Sequence, residues 1–114
     1  EASGSRADAG AITILPNANP GSGISGATAR NQNSAGVPGT AEANDRFGDD
    51  VVVDASGAIL ATAPGESING ITRTGAVTVF FGSPADPDRD GAFAFNQNTT
   101  HVPGSNESND EWGS

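Results

Sequence analysis

The chain has 114 residues, 14 of them acidic against 5 arginines, with no lysine and no cysteine, for a formal net charge of -9. That balance points away from nucleic acid and anionic membrane as partners, because phosphate binding needs clustered positive charge. The lack of cysteine excludes disulfides, thiolate metal sites and thiol nucleophiles, and no apolar run approaches the roughly 20 residues that cross a bilayer.

In chain order, Ala11 to Leu15 is a β-branched run bounded by Gly10 and Pro16, and a glycine-rich loop leads from it to a weaker extended segment at Ala27 to Asn31. These two predict a hairpin. Val51 to Asp54 and Ala58 to Thr62 flank Ala55, Ser56 and Gly57, a compact turn signal that predicts an antiparallel pair. Ala76 to Phe81 and Ala92 to Asn96 repeat the first hairpin with phenylalanine at 80, 81, 93 and 95. No window carries apolar residues at helical spacing without an interrupting Gly or Pro, so the expected class is all-β with many turns.

Residues 1 to 49 laid over residues 66 to 114 match at 17 of 49 positions without a gap, so a unit recurs at a spacing of 65. The strongest stretch pairs NQNSAGVPGTAEANDRFG (Asn31 to Gly48) with NQNTTHVPGSNESNDEWG (Asn96 to Gly113). Such self-similarity marks supersecondary units that cannot bury their apolar faces alone. Two full units do not fit in 114 residues, and the alignment of Glu1 on Glu66 leads us to expect a start inside a repeat array, in a processed form or a fragment. The duplicated polar link is expected to be an ordered loop. Phe47 and Trp112, at the same repeat position, are expected to plug the space between units.

Phe47 and Gly48, followed by VVVDASGAILATAPGE (Val51 to Glu66) and GAVTVFFGS (Gly75 to Ser83), resemble an FG-GAP repeat, the blade unit of integrin alpha-chain-type β-propellers. GVPGTAEANDRFG (Gly36 to Gly48) and SRADAGAITILPN (Ser5 to Asn17) resemble the repeats of secreted and surface FG-GAP proteins of bacteria, especially actinobacterial ones. The resemblance implies one full blade over residues 47–98, the outer half of a preceding blade over 1–46, and the start of the next repeat over 99–114. It also implies secretion or display at the cell surface. Two departures stand out. The family's central Gly-Ala-Pro reads Thr62, Ala63, Pro64, and the calcium loop of many such repeats is reduced to Asp54, Ala55, Ser56, Gly57, whose single carboxylate cannot supply the six to eight oxygens that calcium takes.

Asp86, Asp88 and Asp90 ahead of Gly91 spell the first half of a calcium loop, with alternate carboxylates able to converge on one cation. The closing acid is missing, since the twelfth position is Gln97, and a plain acidic hairpin tip is the competing reading. Glu42 and Asp45, matched by Glu107 and Asp110, are expected to cap nearby amides, with a ligand set shared with Asp49 and Asp50 as the alternative. Asn98 and Asn106 each open an N-glycosylation triplet, a pattern that so Asn- and Ser-rich a chain also yields by chance. His101 is the one histidine, and no serine sits in a nucleophile elbow, so no catalytic set is assigned.

These readings lead to a non-enzymatic extracellular propeller module for adhesion or ligand binding, acting on a protein or glycan. It would be completed through exposed sheet edges by identical copies or by other blades of a longer parent. The alternative is a subunit of an extracellular filament built by head-to-tail strand complementation. An accessory part of a hydrolase ranks below both.

Overall fold

The computed structural model describes residues 8–15, 28–82 and 90–113. Within them the β-branched runs form β1 (Ile12–Ile14), β2 (Thr28–Arg30), β3 (Val51–Val53), β4 (Ile59–Ala63), β5 (Ala76–Phe80) and β6 (Ala92–Phe95), with no helix. All three expected hairpins close, each antiparallel, and a further β4 to β5 pairing joins β3, β4, β5 and β6 into one sheet in chain order. The architecture is all-β, in one two-stranded and one four-stranded sheet.

Strand ends depart from the sequence expectation by a residue or two, for local reasons. Asp54 leaves β3 because its Oδ1 accepts the amides of Ser56 and Ala58, at 2.9 and 3.0 Å, and the Ser56 hydroxyl at 2.6 Å. The Ser56 hydroxyl is the main cause holding this carboxyl below its usual range. β4 extends to Ala63 because that residue pairs with Ala76.

β4 and β5 alternate buried and half-buried residues as a one-sided sheet should, so Ile59 lies opposite Phe80, Ala61 opposite Thr78 and Ala63 opposite Ala76 on the inner face. Ile12 and Ile14 of β1 close on that face, and with Val37, Phe47, Ile59, Phe80 and the alanines of β4 they make the core between the two sheets. Phe47 and Phe80 are the largest fully buried side chains, and each phenylalanine so buried contributes about 2–3 kcal/mol. Of the two expected plugs Phe47 is buried, while its counterpart Trp112 is only half-buried. On the outer face Val79 sits opposite Phe93, which meets Phe81 edge-on with ring centroids 5.5 Å apart.

The long loop is ordered, and its two copies carry the same hydrogen bonds 65 residues apart. Asn33 N donates to Asn31 Oδ1 at 2.7 Å and Asn98 N to Asn96 Oδ1 at 2.8 Å. Ala41 N reaches Asn33 Oδ1 and Asn106 N reaches Asn98 Oδ1, both at 3.0 Å. Asparagine serves because its short amide satisfies backbone donors that no ladder reaches. Left-handed residues are doubled as well: Asn44 and Asn109, Arg46 and Glu111, Gly36 and His101.

Each loop then docks on the strand of its own unit. Arg46 N and Phe47 N donate to the carbonyls of Asp8 and Ala9 at 2.8 and 2.9 Å, and Glu111 N and Trp112 N to those of Arg73 and Thr74, both at 2.9 Å. The approach leaves no room for a side chain. A Cβ on Gly10 would stand 2.2 Å from Phe47 O, and one on Gly75 2.3 Å from Trp112 O.

Candidate functional site

Where the first loop ends, its last turn meets the chain leaving β4. Asp45 Oδ2 accepts the amide of Glu42 at 2.9 Å, as expected of a cap, and Asp110 does the same for Glu107 at 3.1 Å. Past Ala63 the chain turns at Pro64 and Gly65, and Gly65 N donates to Asp45 O at 3.1 Å. Glu66 O accepts from Gly75 N at 3.0 Å and from the Thr74 hydroxyl at 3.2 Å. These bonds fix the Glu66 backbone against the loop, and one carboxylate oxygen each from Glu42, Asp45 and Glu66 comes within 4.8 Å of the others.

Asp45 and Glu66 are buried, while Glu42 is exposed and opens the cluster to solvent. Gln32, from the first turn of the same loop, closes the inner side, with its Nε2 donating to Glu66 Oε2. Its Oε1 is buried without a hydrogen-bond partner. Desolvation is the main cause raising both acids, Asp45 to about 6 and Glu66 to about 7. The capping amide of Glu42 favours the ionised form of Asp45, and the hydrogen bond between the two carboxyls favours keeping the proton on Glu66. The cluster can therefore share a proton, or exchange it for a hard cation, since every donor is an oxygen.

Asp49 and Asp50, the alternative companions of Glu42 and Asp45, are exposed and stand outside this group; the third carboxylate is Glu66. Sequence reasoning misses Glu66 and Gln32, although Gln32 lies in the repeated NQN and Glu66 is identical to Glu1 across the repeat. Of the proposed calcium loop, Asp90 sits exposed in the turn before β6, while Asp86 and Asp88 lie outside the described residues. Asn98 is exposed, and its Oδ1 holds the Asn106 amide. Asn106 is buried, and its Nδ2, the atom a sugar would occupy, donates to Asn96 Oδ1 at 3.3 Å. His101 is exposed at φ 71°, in the place where the first copy has Gly36 at φ 80°.

A second feature lies on the sheet edges. Among the described residues β3 pairs only with β4, and Val51, Val52 and Val53 are 43, 55 and 55 % exposed. A groove beside it is lined by β1 (Ile12, Thr13, Ile14), Leu15, Val51 and Val53. Across the face that joins the two loops, Arg46 pairs with Glu111, its repeat equivalent, and Arg73 pairs with the same carboxylate at 2.8 Å. The Arg73 hydrogen bond is the main cause lowering the Glu111 carboxyl.

Fold and sites define an all-β chain with a duplicated capped loop and, among the described residues, a strand edge on β3 without a neighbouring strand. Comparison of the chain with protein-family profiles, with curated proteins and with solved structures finds no match.

Proposed function

We propose that the chain is a non-enzymatic extracellular module of a β-propeller, taking part in adhesion or ligand binding and completed through its sheet edges by further copies or further blades. The observation that carries this reading is β3, an edge strand of three consecutive valines, each more than two-fifths exposed. Soluble proteins blunt such edges with charge, proline or a bulge, because a row of unpaired amides and carbonyls recruits another strand. Asp50 and Asp54 flank β3 and Asp50 Oδ1 accepts the Val51 amide at 3.1 Å, so what the edge offers an incoming strand is its three exposed valines and the apolar groove toward β1, a place to bury alternate side chains. A four-stranded antiparallel meander in chain order is also the arrangement that a blade would require.

Size-exclusion chromatography with light scattering at about 100 μM tests the reading. A single mass at a small multiple of the monomer supports ring closure, and a mass that grows with concentration supports the filament alternative. Val52→Lys places a charge on the edge and should return the chain to monomer with unchanged circular dichroism. A monodisperse, folded, unsubstituted monomer refutes both forms.

A further inference from the structure

We infer that the outer face of β5 and the second loop, through Val77, Val79, Val102 and Trp112, form the seat of a further repeat unit, which docks there by a hairpin of the kind that β3 and β4 make; this rests on the modular reading above and gives the module a contact surface besides the β3 edge. The template lies within the chain. Ile12, Ile14, Val37 and Phe47 of the first unit are buried, in one core cluster with Ile59, Ala61, Ala63 and Phe80 of the sheet that follows. At the repeat spacing of 65 those four positions hold Val77, Val79, Val102 and Trp112, which are apolar in every case yet only half-buried.

Both loops end against their own strand in the same way: a Cβ on Gly48 would stand 2.6 Å from Ile12 Cγ2, and one on Gly113 3.2 Å from Val77 Cγ2. The first loop then bonds the hairpin that follows it, with Gly48 N donating to Thr62 O at 2.7 Å and Asp45 O accepting Gly65 N at 3.1 Å. Gly113 N and Asp110 O, the repeat equivalents, make no such backbone bond among the described residues, and Asp110 is exposed where Asp45 is buried. The apolar character also runs across the whole sheet, because Val52, Leu60, Val79 and Phe93 stand opposite one another in turn on this face. Phe81 and Phe93 are 42 and 55 % exposed beside it. Contiguous apolar surface of this kind marks an interaction site.

What covers the first unit defines the occupant. It is an antiparallel hairpin that turns small and branched residues to one face, as Ile59, Ala61 and Ala63 do, and leaves through a turn whose amide reaches the loop, as Gly65 does. In a second copy of this chain that inner face is already filled by its own Ile12 and Ile14, so copies that associate at β3 leave the seat open and the fitting partner is a unit whose inner face is free.

The test extends the full chain after Ser114, the repeat equivalent of Asp49, by a copy of residues 50–81. Trp112 is the one tryptophan, so its fluorescence reads the seat directly. At about 1 μM, where docking within one chain outweighs association between chains, the emission should move to shorter wavelength and quenching by acrylamide should fall as the ring passes from half-buried to buried. The melting midpoint should rise with it. A copy carrying Ile59→Asp and Ala61→Asp, which spoils the face of the extension and leaves the chain itself untouched, should return every reading to that of the unextended protein, as should Val79→Asp in the extended chain. An unshifted Trp112 in the extended chain overturns the seat, as does the same shift with the aspartate-bearing copy. Self-association at β3 is read separately, by mass in the unextended chain: a folded monomer together with a shifted Trp112 removes the edge and leaves the seat standing.

Discussion

Gly10→Ala and Gly36→Ala form a matched pair that isolates the docking of the first loop. Both glycines are left-handed, at φ 87° and 80°, so each alanine incurs the same backbone cost of about 1–2 kcal/mol. They differ in what the new methyl meets. At position 36 there is no atom within 4 Å, and the equivalent position in the second unit already carries His101 in the same conformation. At position 10 the methyl would lie 2.2 Å from Phe47 O and 2.5 Å from Phe47 N, both backbone atoms that cannot swing aside. Phe47 must then retreat, straining the bonds of Arg46 and Phe47 to the Asp8 and Ala9 carbonyls and loosening the ring in the core. Overpacking costs about 1–3 kcal/mol and a weakened hydrogen bond about 1 kcal/mol more. Gly10→Ala should therefore lose about 3–6 kcal/mol and Gly36→Ala about 1–2 kcal/mol. Urea unfolding followed by far-ultraviolet circular dichroism measures both, with a constant slope confirming a common unfolded state. Equal losses for the two variants would refute the claim that loop and strand meet at Gly10.

Stability should also depend on pH. Asp45 and Glu66 carry folded pKa values of about 6 and about 7, above their ordinary values, so what they contribute is whole below about pH 4 and is lost as pH rises through about 6 and about 7. From pH 5 to pH 8 the unfolding free energy should fall by on the order of 1–2 kcal/mol, after allowance for partial solvation of the site. Glu66→Gln should flatten the profile, and an unsubstituted chain whose stability stays level over that interval has no shared proton. Phe47→Ala should cost about 3–5 kcal/mol through the cavity it opens, while Phe93→Ala, at a ring 55 % exposed, should cost under about 1 kcal/mol, as thermal melts would show.

The hairpins are legible in the sequence because β-branched runs such as Ala11 to Leu15 and Ala76 to Phe81 are short, alternate, and stop at Gly or Pro. The ordered loop is legible too, for a different reason: a link repeated without a gap, NQN to FG and NQN to WG, has a conformation to preserve. What resists reading is every contact made between distant segments. Asp45 caps its own turn, a local act that composition suggests, but its meeting with Glu66 depends on Gly65 N reaching back to Asp45 O. No spacing rule encodes that bond. The docking of Phe47 on Gly10 is hidden in the same way, since a glycine that begins a strand and a glycine that admits a backbone look alike in sequence.

Arg46 and Glu111 stand at the same place in successive repeats and face each other with opposite charge. A half-buried pair at the surface adds little to stability, yet it discriminates between neighbours. Two identical units brought together at this contact would oppose arginine to arginine or glutamate to glutamate. The difference in sign at this one aligned position therefore favours the contact between the two copies that the chain makes, and disfavours a contact between two like copies.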